Sequence, residues 1–599
     1  MNLNSNNSKG NSIRMKRKLW YIFCFLILAL IDWRRGSADG VTQLTFSYLT
    51  GAVVALMMLP EVIKIWKADL KNIIGLVMAA VFGGAFFVFG SSLLEYKGER
   101  ATAAISLGIS LYSIFVYVSC KGVKSFFIGL KSTWYILVIT LILLQIASRN
   151  DSLICLYYFI CFGSFALYFR EVSDKEEFFM TLLYGFVVWF FIQQAFAYGF
   201  RPYDRDDYRG MYFGITQNSM HYLMAFTACL LLPCFNRKKK FLGWFFFIVA
   251  GCLVCFTLLT ARKAALFAEI STVIVVLLCG YYKEKKWILR AFGKGFALLG
   301  ITIAMFVPVY AGARYLPTIL HHPLYFYGEY SEELSVRSFD AWDSDRYVTF
   351  EDVFIHTAER YLSMLGIEIM PSSVESEDVS MGEDIYDTKG ILTVSSDRYA
   401  DNTMHSAVTI DTLMSKLGEK VTVYAAESEK NNEIALNEES FIKNRLTCMT
   451  EYEGVIYVWL DHYITSDSAR ETIYGYYLEN LNLTGHTKAE GTFTYVYEPA
   501  EIPDGTVFTD MHNMFLEIFY RDGIPAGLIF LGLYAWMLVR GFRRAHSDKI
   551  ELIRLGFLMA LMIMGSFENV LNIGFMCMTM ILLMFATMDT SKIRGNKCP

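Results

Sequence analysis

Apolar residues run for about 17 to 25 positions at a time along this chain, and each run stops at a short polar or charged break. Coiled as a helix at about 1.5 Å per residue, such a run crosses the roughly 30 Å of a bilayer's hydrocarbon. The pattern predicts spans near 18–34, 41–65, 72–94, 101–120, 127–148, 151–170, 177–200, 216–236, 240–260, 262–282 and 287–311. After a long polar stretch, further spans are expected near 524–542, 551–566 and 568–588. The expected total is about 12 to 14, because the run at 551–566 is short and abuts its successor. The first run has a basic flank, Arg14-Met15-Lys16-Arg17-Lys18, but no small-x-small cleavage site before Trp33-Arg34-Arg35, so it is expected to stay as a span.

Composition agrees with the pattern. Of the 599 residues 54% are apolar and 16% aromatic, and the mean hydropathy is +0.36. The fold class expected is an all-α polytopic membrane protein with a large α+β extracytoplasmic loop domain before the last spans. The corresponding domains are an N-terminal bundle over 1–313, the loop over 314–510, and an interfacial helix with the final spans over 511–599.

Loop charge sets the expected orientation, since lysine and arginine collect on the cytoplasmic side. With the N-terminus inside, the inner loops carry Lys64/Lys67/Lys71, Lys121/Lys124, Arg237-Lys238-Lys239-Lys240 and Lys283/Lys285/Lys286. Arg540/Arg543/Arg544 and Lys592/Arg594/Lys597 follow the same rule, and Arg34-Arg35 is the outward exception. The long loop then faces outward from the cytoplasmic membrane. Its Asp and Glu exceed its Lys and Arg by about 23 although the whole chain is only −4, which keeps it soluble and clear of anionic headgroups. Of 12 cysteines only Cys448 lies in the loop, and no spacing suggests a metal site or a cofactor.

Within the loop, Lys420–Tyr424 and Gly454–Leu460 alternate as strands do, and 349–365 and 468–481 show helical spacing. The stretch from Thr509 to Tyr520 reads as a short helix capped by Thr509 or Asp510. Met511, Phe515, Ile518 and Phe519 would lay it on the membrane surface, with His512 in its first turn, where free N–H groups favour an anion.

Chemistry is sought among charged residues at outward helix ends. Arg205 and Arg209 lie in Arg201-Pro202-Tyr203-Asp204-Arg205-Asp206-Asp207-Tyr208-Arg209-Gly210, which is equally consistent with a local salt-bridge loop. Arg209 leads directly into a span, where a guanidinium fork suits phosphate oxygens. Arg262 and Lys263 share the tight outward turn Thr260-Ala261-Arg262-Lys263-Ala264; two cations there can snorkel to headgroups or clamp a pyrophosphate. His512 carries a base that works near neutral pH. Glu269 and Glu568, in or near apolar runs, are lesser candidates. There is no P-loop, Asp-rich metal motif or Gly-x-Ser-x-Gly elbow at a credible position, and an outward site meets no nucleotide sugar. A donor already activated on a lipid diphosphate meets that need.

In order and spacing the chain resembles the O-antigen ligase and polymerase family of bacterial membrane glycosyltransferases over roughly residues 200–590. The likeness rests on Arg209-Gly210-Met211-Tyr212-Phe213 with Gln217-Asn218, then Thr260-Ala261-Arg262-Lys263-Ala264, then a large outer loop. That loop closes with Ala469-Arg470, Leu483-Thr484-Gly485-His486, His512-Asn513 and Gly523-Ile524-Pro525-Ala526-Gly527. The family usually has Pro where this chain has Gln217 and Ser-Arg-Gly where it has Ala261-Arg262-Lys263. The resemblance implies metal-independent transfer of a glycan from undecaprenyl diphosphate to an acceptor hydroxyl on a glycan, lipid or wall component. Arg209 and Arg262 would bind the diphosphate, and His512 would orient or deprotonate the acceptor. Arg205, Asn218, Lys263, Arg470 and Asn513 would support substrate binding. Membrane lipids are expected partners and nucleic acid is not. The rival reading is a lipid-glycan transporter or flippase without catalysis, which would carry charges deep in its spans.

Overall fold

The computed structural model describes residues 3–35, 40–94, 96–147, 152–200, 215–235, 240–259, 263–282, 286–320, 421–425, 446–452, 455–460, 474, 478, 481–486, 493–494, 507–508, 513–568, 570–571 and 576–588. The chain divides into two compact units. Unit 1 is Met1–Glu368, His512–Ile518 and Pro525–Pro599; unit 2 is Ile369–Met511 and Phe519–Ile524.

Unit 1 is helical. Its elements are α1 (Leu3–Arg35), α2 (Gly40–Met57), α3 (Leu59–Ile65), α4 (Leu70–Phe89), α5 (Lys97–Lys121), α6 (Val123–Ala147), α7 (Ser152–Phe169) and α8 (Lys175–Phe200). There follow α9 (Ile215–Phe235), α10 (Lys240–Leu259), α11 (Lys263–Tyr281) and α12 (Trp287–Leu320). After the long segment come α13 (Met514–Arg521), α14 (Ile524–Arg544), α15 (Lys549–Gly565) and α16 (Met576–Ala586). Among the described residues, eight helices are long and apolar enough to cross a membrane, or nine if the bent pair α2–α3 is one span. That pair bends by 43° where Pro60 enters the first turn of α3, because proline cannot donate to the preceding turn. The expected N-terminal domain end at 313 falls inside α12, which continues to Leu320.

Local signals start and stop these helices. The Asp69 carboxylate accepts from Asn72 N–H at the head of α4, and Asp548 does the same for Ile550 at the head of α15. Gly122 adopts φ +83° between α5 and α6, a turn that glycine makes without steric cost. Packing runs α1 on α2 and α8, α9 on α8, α10 and α11, and α11 on α15. Small residues let backbones approach: a Cβ at Gly251 of α10 would fall 2.5 Å from Ile301 Cγ2 and 3.3 Å from the Thr302 backbone nitrogen of α12.

One end of the bundle is clasped by ion pairs. Arg17 of α1 donates to Glu177 of α8 at 2.9 Å and lies 3.6 Å from Glu61 of α3. Lys549 of α15 pairs with Glu176 of α8. Glu551 of α15 accepts from Arg540 of α14 at 2.8 and 3.1 Å and from Arg554 at 3.0 Å, while Arg554 also donates to the Thr587 carbonyl after α16.

The described part of unit 2 contains strands β1 (Val421–Ala425), β2 (Leu446–Tyr452), β3 (Val455–Leu460), β4 (Phe493–Thr494) and β5 (Val507–Phe508). β3 is central, parallel to β1 with Val421 opposite Ile456, and antiparallel to β2 with Glu451 opposite Ile456. β4 and β5 form a short antiparallel pair. β1 and β3 coincide with the two alternating stretches. The helices expected at 349–365 and 468–481 lie almost wholly outside the described residues, and an α+β fold for 314–510 is not supported by those that are described.

Candidate functional site

Three helices begin within six positions of the three residues singled out as catalytic. α9 starts at Ile215 beyond Arg209, α11 at Lys263 beyond Arg262, and α13 at Met514 beyond His512. Arg205, Arg209, Arg262, His512 and Arg470 themselves lie outside the described residues, and of Lys263 only the helical backbone is described. The helix starts are therefore what locates this region.

A chain of contacts within unit 1 brings those starts to one end of the bundle. The Asn513 amide donates from Nδ2 to the Ser566 carbonyl at 3.1 Å, tying the head of α13 to the tail of α15. Next to Ser566, the Phe567 ring stacks on Phe267 in the second turn of α11, with ring centroids 6.4 Å apart. Glu269, also near the head of α11, accepts from Thr257 Oγ1 at 2.7 Å near the tail of α10. Phe256 of α10 packs on Tyr222 near the head of α9 at 5.4 Å. The heads of α9, α11 and α13 thus share a level with the tails of α10 and α15.

Polar side chains are buried at this same level. On α9, Asn218 (0% exposed) and His221 (2%) sit one turn apart on one face. On α8, Trp189 and Gln193 are spaced to meet them. Gln193 Nε2 donates to Asn218 Oδ1 at 2.5 Å, and Trp189 Nε1 donates to His221 Nδ1 at 3.0 Å. Asp32 of α1, 3% exposed, places Oδ2 2.8 Å from His221 Nε2. The indole is a donor only, so His221 Nδ1 carries no proton, and the neutral ring keeps its proton on Nε2 facing Asp32. The approach of the carboxylate is out of line with that N–H, so the contact is charge to dipole rather than a straight hydrogen bond. Asp32 Oδ1, Asn218 Nδ2 and Glu269 Oε2 are buried without a hydrogen-bond partner among the described residues. His221 and Glu269 each lie six positions into their helices, about 9 Å from the helix start at 1.5 Å per residue.

Two residues expected to bind substrate are committed to the fold. Asn218 is held by Gln193 inside the α8–α9 interface. Asn513 caps α13: its Oδ1 accepts from Phe515 N at 3.0 Å and Leu516 N at 3.1 Å, while Nδ2 holds Ser566. This corrects the expected cap at Thr509 or Asp510 and starts the first turn just after His512 rather than around it. The helix is packed into unit 1 through its first turns. None of its residues is exposed, Met514 and Ile518 are 0% exposed, and Phe515 packs on Phe530 and Tyr534 of α14.

Within unit 2, two glycine-bearing stretches of the sequence pattern meet. Ile524 N donates to the Asn482 carbonyl at 3.0 Å and His486 N to the Tyr520 carbonyl at 3.1 Å. The His486 ring stacks on Tyr520 with centroids 4.0 Å apart. Gly485 has φ +79° and Gly523 φ +86°, and a Cβ on either would fall within 2.3 Å of the other stretch's carbonyl oxygens. Glycine is required there for space as well as for torsion.

Asp32, His221, Trp189 and Gln193 were not singled out from sequence. The available signal was the presence of an acid and an imidazole inside runs otherwise apolar, at the end shared with the arginine segments. No known family profile matches the chain, and comparison with curated proteins and with solved structures gives no match either.

Proposed function

We propose that this chain is a membrane glycosyltransferase that moves a glycan from undecaprenyl diphosphate to an acceptor hydroxyl, with its site on the outer face of the cytoplasmic membrane. The finer topology of about 12 to 14 spans with the N-terminus inside belongs to this proposal. The observation that carries it is the convergence of the helix starts following Arg209, Arg262 and His512 at one end of unit 1, over a buried polar layer. The resemblance to O-antigen ligases and polymerases supplies the reaction class.

In the proposed reaction the acceptor oxygen attacks the anomeric carbon, and the bond from that carbon to the diphosphate oxygen breaks with its electron pair leaving on the diphosphate. The acceptor's proton passes to His512. Arg209 and Arg262 neutralise the charge that grows on the leaving group, an electrostatic role that needs no metal. The resemblance assigns Arg205, Lys263 and Arg470 to substrate binding.

Purified full-length protein incubated with a polyprenyl-diphosphate oligosaccharide tests the proposal. Lengthened glycan or a modified acceptor is the expected product, and product analysis separates polymerase from ligase. Arg262→Ala should lower transfer by about 10²–10³-fold. Unchanged transfer by that variant, with normal insertion, overturns the assignment of Arg262.

One observation favours a second reading. The acid and imidazole of Asp32 and His221, buried among α1, α8 and α9, are what an ion-coupled lipid-glycan transporter would use. Movement of labelled lipid-linked glycan across vesicles with no bond cleavage would select it.

A further inference from the structure

At the end of unit 1 clasped by ion pairs, the last turn of α11, the first residue of α12 and the last turn of α14 enclose a cleft of about 380 Å³ lined by Tyr282, Trp287, Phe542, Arg543 and His546 over Leu278 and Cys279. We propose that this cleft binds the headgroup of an anionic phospholipid.

The walls are aromatic. Tyr282 packs on Trp287 with centroids 5.1 Å apart and meets the His546 ring edge-on at 5.5 Å. Tyr282 is 54% and Phe542 47% exposed, so a ligand with a hydrocarbon portion gains contacts that a free phosphate cannot make. Tyrosine and tryptophan at the ends of spanning helices sit at headgroup depth, and basic pockets between such helices are the recurring form of anionic-lipid sites.

Among the described residues, no acid forms an ion pair with the arginine of the cleft. Acids described at this end are engaged elsewhere: Glu551 takes Arg540 and Arg554, Glu176 takes Lys549, Glu61 and Glu177 share Arg17, and Asp548 caps α15. Among the described residues, Arg543 at the mouth and its neighbour Arg544 have no acidic partner. A phosphodiester supplies the missing anion, while its acyl chains follow the apolar sides of Phe542 and Leu278 out into the bilayer. The site lies at the opposite end of unit 1 from the buried polar layer and does not depend on the glycosyl-transfer reading.

Native mass spectrometry of the full chain in detergent, titrated with phosphatidylglycerol or phosphatidylcholine of equal chain length, tests the site. Phosphatidylglycerol should be retained in preference. Arg543→Gln should lower that retention by about five-fold, the effect of one surface cation, and leave phosphatidylcholine unchanged. Arg544→Gln, next in sequence but outside the cleft, should have little effect. Trp287→Ala should lower retention of both lipids. Equal losses from Arg543→Gln and Arg544→Gln, or no headgroup preference in the unaltered chain, would overturn the site. Displacement of the lipid by millimolar inorganic phosphate would make it a free-phosphate site and overturn the lipid assignment.

Discussion

Replacing His221 by leucine should unbalance the buried layer more than any other single change in it. The substitution removes the acceptor that holds the Trp189 indole and the imidazole beside Asp32, whose second carboxylate oxygen has no partner among the described residues. Both side chains are at most 4% exposed, so no water screens the loss. Leaving a buried polar group without its partner typically costs about 1–3 kcal/mol, and more when that group is a carboxylate. A single hydrogen bond inside a membrane contributes only about 0.6 kcal/mol on average and about 1.7 at most, so a loss above about 2 kcal/mol identifies the stranded charge as its source. Asp32→Asn keeps the shape and drops the charge, and should cost less than about 1.5 kcal/mol. Asp32→Leu with His221→Leu should be more stable than His221→Leu alone, since removing both polar partners leaves nothing stranded. Equilibrium unfolding of the full chain in mixed micelles of rising sodium dodecyl sulfate content, followed by tryptophan fluorescence and helical circular dichroism, measures these variants and Asp32→Leu alone. The reasoning is refuted if His221→Leu costs under about 1 kcal/mol, or if the double variant is as unstable as the sum of its singles.

Further outcomes can be checked in the same way. Glu551→Gln removes the carboxylate shared by the buried Arg554 and the half-buried Arg540 and should cost about 3–5 kcal/mol in the micelle assay; a neutral result would argue against the Arg540–Glu551–Arg554 cluster. Asn513→Ala should cost about 0.5–2 kcal/mol through the lost cap of α13, and Asn513→Asp should restore the cap but not the tether to Ser566. Gly251→Leu should separate α10 from α12 and lower yield of the folded chain, whereas Gly300→Leu, with open space at its Cβ, should be tolerated in size-exclusion profiles. Gly523→Ala should cost at least about 1–3 kcal/mol of local stability, read as faster hydrogen exchange at Ile524 and His486.

Span positions were legible because a bilayer enforces one solution. Any run of the right length must close its own hydrogen bonds as a helix, so hydropathy alone placed α4, α5 and α8 to α11 to within about five residues, and the start but not the end of α12. Strand positions were legible for a similar local reason: alternation marked β1 and β3. The head of α13 was misplaced because several capping residues, Thr509, Asp510 and Asn513, compete within one turn. Only the contact with Ser566, 53 positions away, favours the last of them.

By itself the sequence determined where the spanning helices lie, where cations collect, and that arginine and histidine stand within six positions of three helix starts. Each of these is set within about one turn or one span, where local hydrogen bonding and transfer free energy dominate. Tertiary structure alone decided that those starts share a level, and that Asp32, Trp189 and His221, from three separate helices, meet there. It also turned Asn218 and Asn513 from apparent ligand-binding amides into braces. An amide's partners depend on which helices pack side by side, and periodicity along one helix carries no information about its neighbour.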